Sequence, residues 1–249
     1  MTLHPLAARF ASVADAYERG RPGYAPAVVG ALAAELALDP GARVLDLAAG
    51  TGKLTRSLLA AGYDVVAVEP QAELREKLAA TIGAERVHEG VAERIPLPGD
   101  AVEAVTIADA FHWFDAAAAL AEIRRVLMPG GRLAILTAAP DWREASWAEE
   151  LGALIEAMRP EHPFFDGPPW EEAAAADGAW TASRQVRVIT PEPTDPARIV
   201  DYVTSMSFVA ALAGEERERF LAQVAELVEA GQMPAELPVH FVIGWTTLR

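Results

Sequence analysis

Short runs of aliphatic residues alternate with helical patterns through the first half of the chain. The aliphatic runs predict five strands, which cover residues 43–47, 64–69, 86–89, 102–108 and 132–137. The stretches between them predict helices at residues 25–36, 53–61, 72–82 and 116–127. Regular alternation of strand and helix is typical of βαβ units, so the pattern predicts an α/β fold built on a parallel sheet.

The alternation stops after residue 137. Residues 141–177 are rich in aromatic residues, proline and glycine, and they predict one helix at 147–158 followed by an irregular loop. Farther along, the pattern predicts strands at 181–190 and 239–247 and helices at 195–212 and 215–230. We expect the last two strands to form an antiparallel pair at one edge, which makes the sheet mixed.

The turn after the first strand carries the most specific chemistry in the chain. The strand ends near Asp46, and the chain then passes Gly50 and Gly52 before a helix begins. Ligands bind at such strand ends in open α/β sheets, and glycine allows close approach of the backbone to a ligand. The second strand ends at Glu69, whose carboxylate can accept both hydroxyls of a ribose. This combination predicts a nucleoside site.

Two phosphate-binding motifs fit this turn poorly. The dinucleotide fingerprint requires a third glycine at the position of Thr55. The phosphate loop requires glycine at position 47 and a hydroxyl residue at position 54, and both positions hold leucine. A pyrophosphate is therefore disfavoured, and a nicotinamide-dependent oxidoreductase is the weakest alternative.

The turn Asp46-x-Ala48-x-Gly50-x-Gly52, followed by Glu69, resembles that of class I S-adenosylmethionine-dependent methyltransferases. Residues 90–98 resemble the adenine-side loop of this family, and residues 127–133 resemble its turn into the fifth strand. Residues 10–24 and 108–115 are similar to those of a small-molecule subgroup that includes trans-aconitate methyltransferase. The resemblance implies a Rossmann-like, seven-stranded mixed sheet in the order 3-2-1-4-5-7-6 with flanking helices and a helical, aromatic cap insertion.

The resemblance also implies how the chain is organised. Residues 1–249 are expected to form a single methyltransferase domain, in which residues 1–27 cover the cofactor. Residues 138–180 and 195–232 are expected to form the cap and the acceptor pocket. The aromatic and apolar residues that could line this pocket are Trp113, Phe164, Phe165, Trp170, Tyr202, Met206 and Phe208.

The cofactor implied by the resemblance is S-adenosylmethionine, which leaves S-adenosylhomocysteine as product. The residues expected to bind it are Tyr17, Arg21, Asp46, Ala48, Gly50, Thr51, Gly52, Glu69, Pro70, Gln71, Val91, Ala92, Glu93, Ala108, Asp109 and Trp113. Glu69 is expected to hold the ribose, and Ala92 to offer a backbone N–H to the adenine. Many relatives have aspartate where this chain has Val91, so Glu93 is the expected partner of the adenine amino group.

Other roles concern the methionine portion of the cofactor. Asp46 is expected to organise the turn through backbone N–H groups or to meet the cofactor's ammonium, directly or through water. Ala108 and Asp109 can present a backbone carbonyl to the same ammonium. Tyr17 and Arg21 are expected to fold over the cofactor and meet its carboxylate.

Methyl transfer is an in-line displacement, in which the enzyme mainly positions the reactants and excludes water. An acceptor that is already ionised needs no base, whereas a hydroxyl, amine or carbon acceptor does. His112 is the candidate catalytic base; in the other interpretation, His112 and Trp113 orient the loop or pack beneath the cap. His162 is expected on a surface loop, and His4, His88 and His240 receive no role.

Composition narrows the set of partners. The chain has 21 Lys and Arg against 36 Asp and Glu, a net charge of −15, and no basic stripe. We therefore expect a small-molecule acceptor, a metabolite or natural product, and no nucleic acid and no membrane. The absence of cysteine excludes zinc–thiolate sites, and the carboxylates show no metal-binding pattern.

The predicted protein is a cytoplasmic methyltransferase that works as a monomer or homodimer. Two alternatives stay open from the sequence. The first is a cyclase or isomerase that keeps the cofactor as a structural element, and the second is a non-catalytic cofactor-binding protein.

Overall fold

Strands whose residues are almost all apolar form the centre of the sheet, because both faces of a central parallel strand are covered. The computed structural model describes residues 3–142 and 145–249. In β1 (Arg43–Leu47) and β2 (Asp64–Val68), only the first residue of each strand is exposed. The other strands are β3 (Val87–His88), β4 (Val102–Ala108), β5 (Leu127–Pro140), β6 (Arg184–Pro193) and β7 (Glu236–Thr247).

The seven strands follow the order β3-β2-β1-β4-β5-β7-β6. The pairs β1–β2, β1–β4, β2–β3 and β4–β5 are parallel. The predicted mixed sheet and its strand order are therefore confirmed. Because the first strands are parallel, the carboxyl ends of β1, β2 and β4 lie at one edge of the sheet.

Eleven α-helices lie within the described residues. They are α1 (Ala14–Gly20), α2 (Pro26–Glu35), α3 (Lys53–Ala60), α4 (Ala72–Ile82), α5 (Ala116–Val126), α6 (Ala148–Met158), α7 (Pro163–Asp166), α8 (Trp170–Asp177), α9 (Pro196–Thr204), α10 (Ser207–Ala211) and α11 (Gly214–Ala230). Short 3₁₀ helices cover Ala7–Val13, Ala84–Arg86 and Phe111–Trp113. Among these helices, none combines the length and the apolar character needed to cross a bilayer.

Two local predictions were wrong. The helix expected at residues 195–212 is split into α9 and α10, because Met206 adopts an extended conformation (ψ 133°). At the end of α9, the hydroxyl of Ser205 donates to the carbonyl of Tyr202, a competing bond that favours a helix end. The irregular loop expected after residue 158 contains α7 and α8. Pro163 is the first residue of α7, a position at which proline favours a helix.

The chain divides into two compact units. Unit 1 consists of Met1–Pro22, Ala139–Phe165 and Ile189–His240. Unit 2 consists of Gly23–Ala138, Asp166–Val188 and Phe241–Arg249. Unit 1 thus takes in most of the two segments expected to form the cap, whereas residues 166–180 belong to unit 2.

Each unit has its own apolar core. In unit 2, α5 buries Ala119, Leu120, Ile123 and Val126 against sheet residues such as Val105 and Leu133. The spacing of these positions gives α5 one apolar stripe. In unit 1, the core is built from helices α6, α9, α10 and α11, and its buried members include Trp147, Leu151, Ile199, Val203, Phe208, Phe220, Val224 and Val228.

Candidate functional site

The turn between β1 and α3 has three residues in the left-handed backbone conformation. Ala48, Gly50 and Gly52 have φ values of +59°, +58° and +88°. The backbone N–H of Ala49 donates to the carbonyl of Val68 over 3.1 Å, which ties the turn to β2. Glycine adopts positive φ without strain, whereas alanine at position 48 pays about 1–2 kcal/mol for the left-handed conformation.

Glu69 follows β2 directly and is only 3% exposed. Its Oε2 accepts from the N–H of Gly50 and its Oε1 from the N–H of Gln71, each over 2.9 Å. Burial raises the pKa of Glu69, and the two N–H groups oppose that shift. Each carboxylate oxygen has two acceptor sites, so the side chain is fixed in place and still able to accept two more hydrogen bonds.

Arg75 on α4 braces the loop that carries Glu69. Its Nη1 donates to the carbonyls of Glu69 over 3.2 Å and Pro70 over 2.6 Å, and its Nη2 contacts Glu89 over 3.0 Å. No sequence pattern indicates this role, because an arginine on an amphipathic helix is ordinarily solvent-exposed.

Asp46 is 1% exposed and lies in a polar contact network. The hydroxyl of Thr55, on α3, donates to its Oδ2 over 2.6 Å. The hydroxyl of Thr106, on β4, lies 3.5 Å from its Oδ1 and 3.3 Å from the carbonyl of Leu45. Burial raises the pKa of Asp46 to about 7, and the charge of Glu69 acts in the same direction. In the sequence alone, Thr55 is notable only as a departure from the dinucleotide fingerprint.

The loop after β3 supplies the residues expected near the adenine. Val91 and Arg94 form an isolated antiparallel bridge, which closes a tight turn around the buried Ala92. Oε1 of Glu93 accepts from the backbone N–H of Asp115 over 2.9 Å. One oxygen of the expected adenine partner is therefore already used by the protein.

Asp109 follows β4 and has a positive φ of 51°. Its N–H donates to the carbonyl of Leu136 over 2.9 Å, and its Oδ1 accepts from the N–H of Ala138 over 3.3 Å. Non-glycine residues with positive φ are uncommon, although aspartate is among the enriched types. The strand end at Ala108 is thus held in a defined conformation next to β5.

His112 lies in the 3₁₀ helix Phe111–Trp113 and is half-buried. Its ring is 4.5 Å from the ring of Trp113, which packs against the core of unit 2. The structure therefore places His112 after β4 in the same unit as Asp46 and Glu69. Its role as a base stays a prediction.

Comparisons with known proteins bear on this geometry. A family model described as a methyltransferase domain matches residues 45–135. An uncharacterized methyltransferase from Mycobacterium bovis is 37% identical over 219 residues, which cover 88% of this chain and 85% of that protein. An uncharacterized methyltransferase-like protein from Schizosaccharomyces pombe is 30% identical over 222 residues, which cover 87% and 84% of the two chains. This chain belongs to the class I S-adenosylmethionine-dependent methyltransferases.

A solved structure agrees with the family at the level of the fold. A protein from Anabaena variabilis, assigned to methyl transfer in antibiotic biosynthesis, superposes with a TM-score of 0.62 at 21% identity. The match covers 92% of this methyltransferase and 99% of that chain. S-adenosylmethionine is the cofactor of the family, so the predicted cofactor and enzyme class are confirmed. The narrower resemblance to trans-aconitate methyltransferase stays a prediction.

Two of the residues expected at the cofactor belong to unit 1 of the methyltransferase. Tyr17 lies on α1, and Arg21 directly follows that helix. The Nε of Arg21 donates to the hydroxyl of Ser205 over 2.8 Å, and its guanidinium lies 4.5 Å from the ring centre of Tyr202. The other predicted cofactor residues all lie in unit 2. The contact of Tyr17 and Arg21 with the cofactor stays a prediction.

The aromatic residues expected around the acceptor are divided between the two units. Trp113 and Trp170 pack against the core of unit 2, whereas Met206 and Phe208 pack in the core of unit 1. Phe164 and Phe165, on α7, are 45% and 57% exposed.

The prediction of a surface position for His162 was wrong, because the residue is 5% exposed. Its Nδ1 accepts from the N–H of Phe164 over 3.2 Å, and its Nε2 lies 2.9 Å from the hydroxyl of Ser207. Because Nδ1 accepts, the proton of the neutral ring is on Nε2 and donates to Ser207. His162 thus links α7 to α10 within unit 1.

Unit 1 contains a pocket of about 610 Å³. Its lining residues are Ala139, Pro140, Asp141, Trp142, Ala145, Ser146, Ala148, Glu149 and His240. Nε2 of His240 lies 3.3 Å from Oδ2 of Asp141. No role for His240 could be predicted from the sequence, because its partner Asp141 is almost 100 positions away in the chain. Within residues 3–142 and 145–249, no group of three metal-binding side chains is present.

Proposed function

We propose that this methyltransferase transfers the methyl group of S-adenosylmethionine to a small-molecule acceptor, mainly by positioning the reactants and excluding water. The observation that carries the proposal is the buried carboxylate of Glu69, held at the end of β2 by two backbone N–H groups. It can accept both ribose hydroxyls without moving. Correct orientation of two reactants contributes about 7–11 kcal/mol to such a reaction.

The other proposed cofactor contacts lie at the same edge of the sheet. The turn through Ala48, Gly50 and Gly52 is proposed to lie against the methionine portion, since glycine has no Cβ and allows close approach of a ligand. The buried Ala92 lies in the turn proposed to face the adenine. The carboxylate of Asp46 is proposed to meet the ammonium of the cofactor, directly or through water.

The charge of the chain favours a small acceptor over a nucleic acid. The net charge of −15 opposes binding of nucleic acid, whose phosphates are contacted by lysine and arginine. For an acceptor that carries a proton at the reacting atom, His112 is the proposed base.

The two alternatives lose support from the family relation. The Mycobacterium relative is similar across 88% of this chain and is named as an uncharacterized methyltransferase. Neither a cyclase or isomerase nor a non-catalytic binding protein is needed to explain any contact described above.

The test of the proposal follows a labelled methyl group. The protein is incubated with methyl-labelled S-adenosylmethionine and a cell extract that ultrafiltration has separated into small-molecule and macromolecular fractions. We expect label in the small-molecule fraction. Glu69→Ala should weaken binding of S-adenosylhomocysteine by about 1.5–3 kcal/mol, or roughly 10- to 150-fold in Kd, measured by calorimetry.

Glu73→Ala is the matched control, because Glu73 is an exposed carboxylate on α4 close to Glu69 in sequence. It should bind S-adenosylhomocysteine as the wild type does. Label confined to the macromolecular fraction, or full affinity in Glu69→Ala, would contradict the proposal.

A further inference from the structure

Thr55 is completely buried and donates to one carboxylate through two groups. Its hydroxyl reaches Oδ2 of Asp46 over 2.6 Å, and its backbone N–H also bonds the Asp46 carboxylate. A distance of 2.6 Å is in the range of hydrogen bonds from a hydroxyl to an ionised oxygen, about 2.5–2.7 Å. Thr55 is therefore the main protein partner of this acid.

Thr106 holds the other oxygen only weakly. Its Oγ1, which carries a single proton, lies 3.3 Å from the carbonyl oxygen of Leu45 and 3.5 Å from Oδ1 of Asp46. Because one hydroxyl donates one proton, and both contacts are long, Oδ1 keeps most of its capacity to accept a hydrogen bond. The hydroxyl of Thr55 thus fixes Oδ2, whereas Thr106 makes only a long contact with Oδ1.

We propose that Thr55 is a positioning residue for cofactor binding, which acts by holding the Asp46 carboxylate for the ammonium of S-adenosylmethionine. This inference rests on the proposed function, since it requires the cofactor in the crevice beside β1. A valine at position 55 would keep the shape and the backbone N–H and would lose only the hydroxyl proton.

The protonation of Asp46 makes the role of the hydroxyl measurable. Burial raises the pKa of Asp46 to about 7, and the hydrogen bond from Thr55 opposes that shift. Glu69 is the charged group that acts on Asp46, and Thr55 and Thr106 are neutral. Loss of the Thr55 hydroxyl therefore raises the pKa of Asp46 further, so that less of the acid is ionised near pH 7. A cationic ligand binds the ionised form more tightly.

The experiment measures the Kd of S-adenosylhomocysteine by calorimetry from about pH 5.5 to about pH 8.5. The proteins are the wild type, Thr55→Val and Thr55→Ser. For Thr55→Val we expect the midpoint of the pH dependence to rise by about one unit and the Kd near pH 7 to rise about fivefold. Thr55→Ser retains the hydroxyl and should keep the wild-type profile.

Two controls separate positioning from general damage. Thr81→Val removes a hydroxyl that donates to the carbonyl of Leu78 over 2.8 Å at the end of α4, away from Asp46. This variant should keep the wild-type Kd for S-adenosylhomocysteine at every pH. The second control is 5′-methylthioadenosine, which lacks the ammonium. Thr55→Val should bind it as the wild type does.

An unchanged pH profile in Thr55→Val would overturn the inference, as would an equal loss of 5′-methylthioadenosine binding. If Thr55→Val does not fold, Thr55→Ala adds no bulk and is subject to the same expectations. A wild-type protein that binds no S-adenosylhomocysteine would instead refute the proposed function.

Discussion

Two buried carboxylates lie at the ends of neighbouring parallel strands. Asp46 is 1% exposed and Glu69 is 3% exposed, and burial raises the pKa of both. A buried charge is costly unless hydrogen bonds and an opposite charge compensate it. Such pairs are typical of functional sites, where binding of a ligand outweighs stability of the free protein.

This arrangement predicts a pH dependence of stability that depends on Asp46. The pKa of its carboxyl is about 7 in the folded protein and about 3.9 when unfolded. Between these values the folded state binds more protons, so the free energy of unfolding falls as pH rises, by up to about 1.4 kcal/mol per pH unit. Asp46→Asn cannot ionise at this position and should show a smaller slope, of which the part due to the raised pKa of Glu69 remains.

Urea denaturation at several pH values from about 4 to about 7 measures the slope. Asp39→Asn is the matched control, because Asp39 is exposed. It should keep the wild-type slope. The same slope in Asp46→Asn and in the wild type would show that Asp46 is not the titrating group.

His112 gives a second prediction at the scale of single residues. If it removes a proton from the acceptor, His112→Ala should lower kcat about 10²- to 10⁴-fold without changing the Kd of S-adenosylhomocysteine. His112→Asn keeps a hydrogen-bonding side chain that cannot take up a proton, and its kcat should fall by the same factor. Near-normal turnover in His112→Asn would assign His112 to orientation of the loop.

At the scale of elements, close helix packing in unit 1 depends on a small residue. A Cβ on Gly20, the last residue of α1, would lie 2.2 Å from the backbone nitrogen of Tyr202 on α9. Backbone atoms cannot rotate away as side chains do. The glycine therefore sets how closely α1 and α9 approach.

Gly20→Ala should lower the free energy of unfolding by about 1–3 kcal/mol, because the helices must separate. Gly30→Ala is the control, since a Cβ at Gly30 in α2 meets nothing within 4 Å. It should raise stability by about 0.5–1 kcal/mol through helix propensity. Denaturant titration measures both; a Gly20→Ala variant as stable as Gly30→Ala would contradict the packing argument.

At the scale of the whole molecule, the excess of acidic residues has a measurable consequence. A net charge of −15 destabilises the folded state through self-repulsion, and salt screens that repulsion. Raising NaCl from about 20 mM to about 200 mM should therefore raise Tm, by about 2–4 °C for each 1 kcal/mol gained. KCl at equal ionic strength should raise Tm by the same amount. A Tm that falls or differs between the salts would argue for specific ion effects.

The sequence by itself determined the features that depend on neighbouring residues. Apolar periodicity predicted β1, β2, β4 and most of the helices. Glycine spacing predicted the turn after β1, in which Gly50 and Gly52 have positive φ values. These predictions succeed because strand burial and backbone conformation are local properties. With the family resemblance, they also gave the strand order of the sheet.

Only the tertiary structure decided which distant groups meet. The bonds from Thr55 and Thr106 to Asp46, the burial of His162 against Ser207, and the contact of His240 with Asp141 join different elements. The side chain of a threonine or histidine looks the same in sequence whether it is solvated or buried. Its partner is set by how strands and helices pack, because a hydrogen bond depends on distances of a few tenths of an ångström that no local pattern encodes.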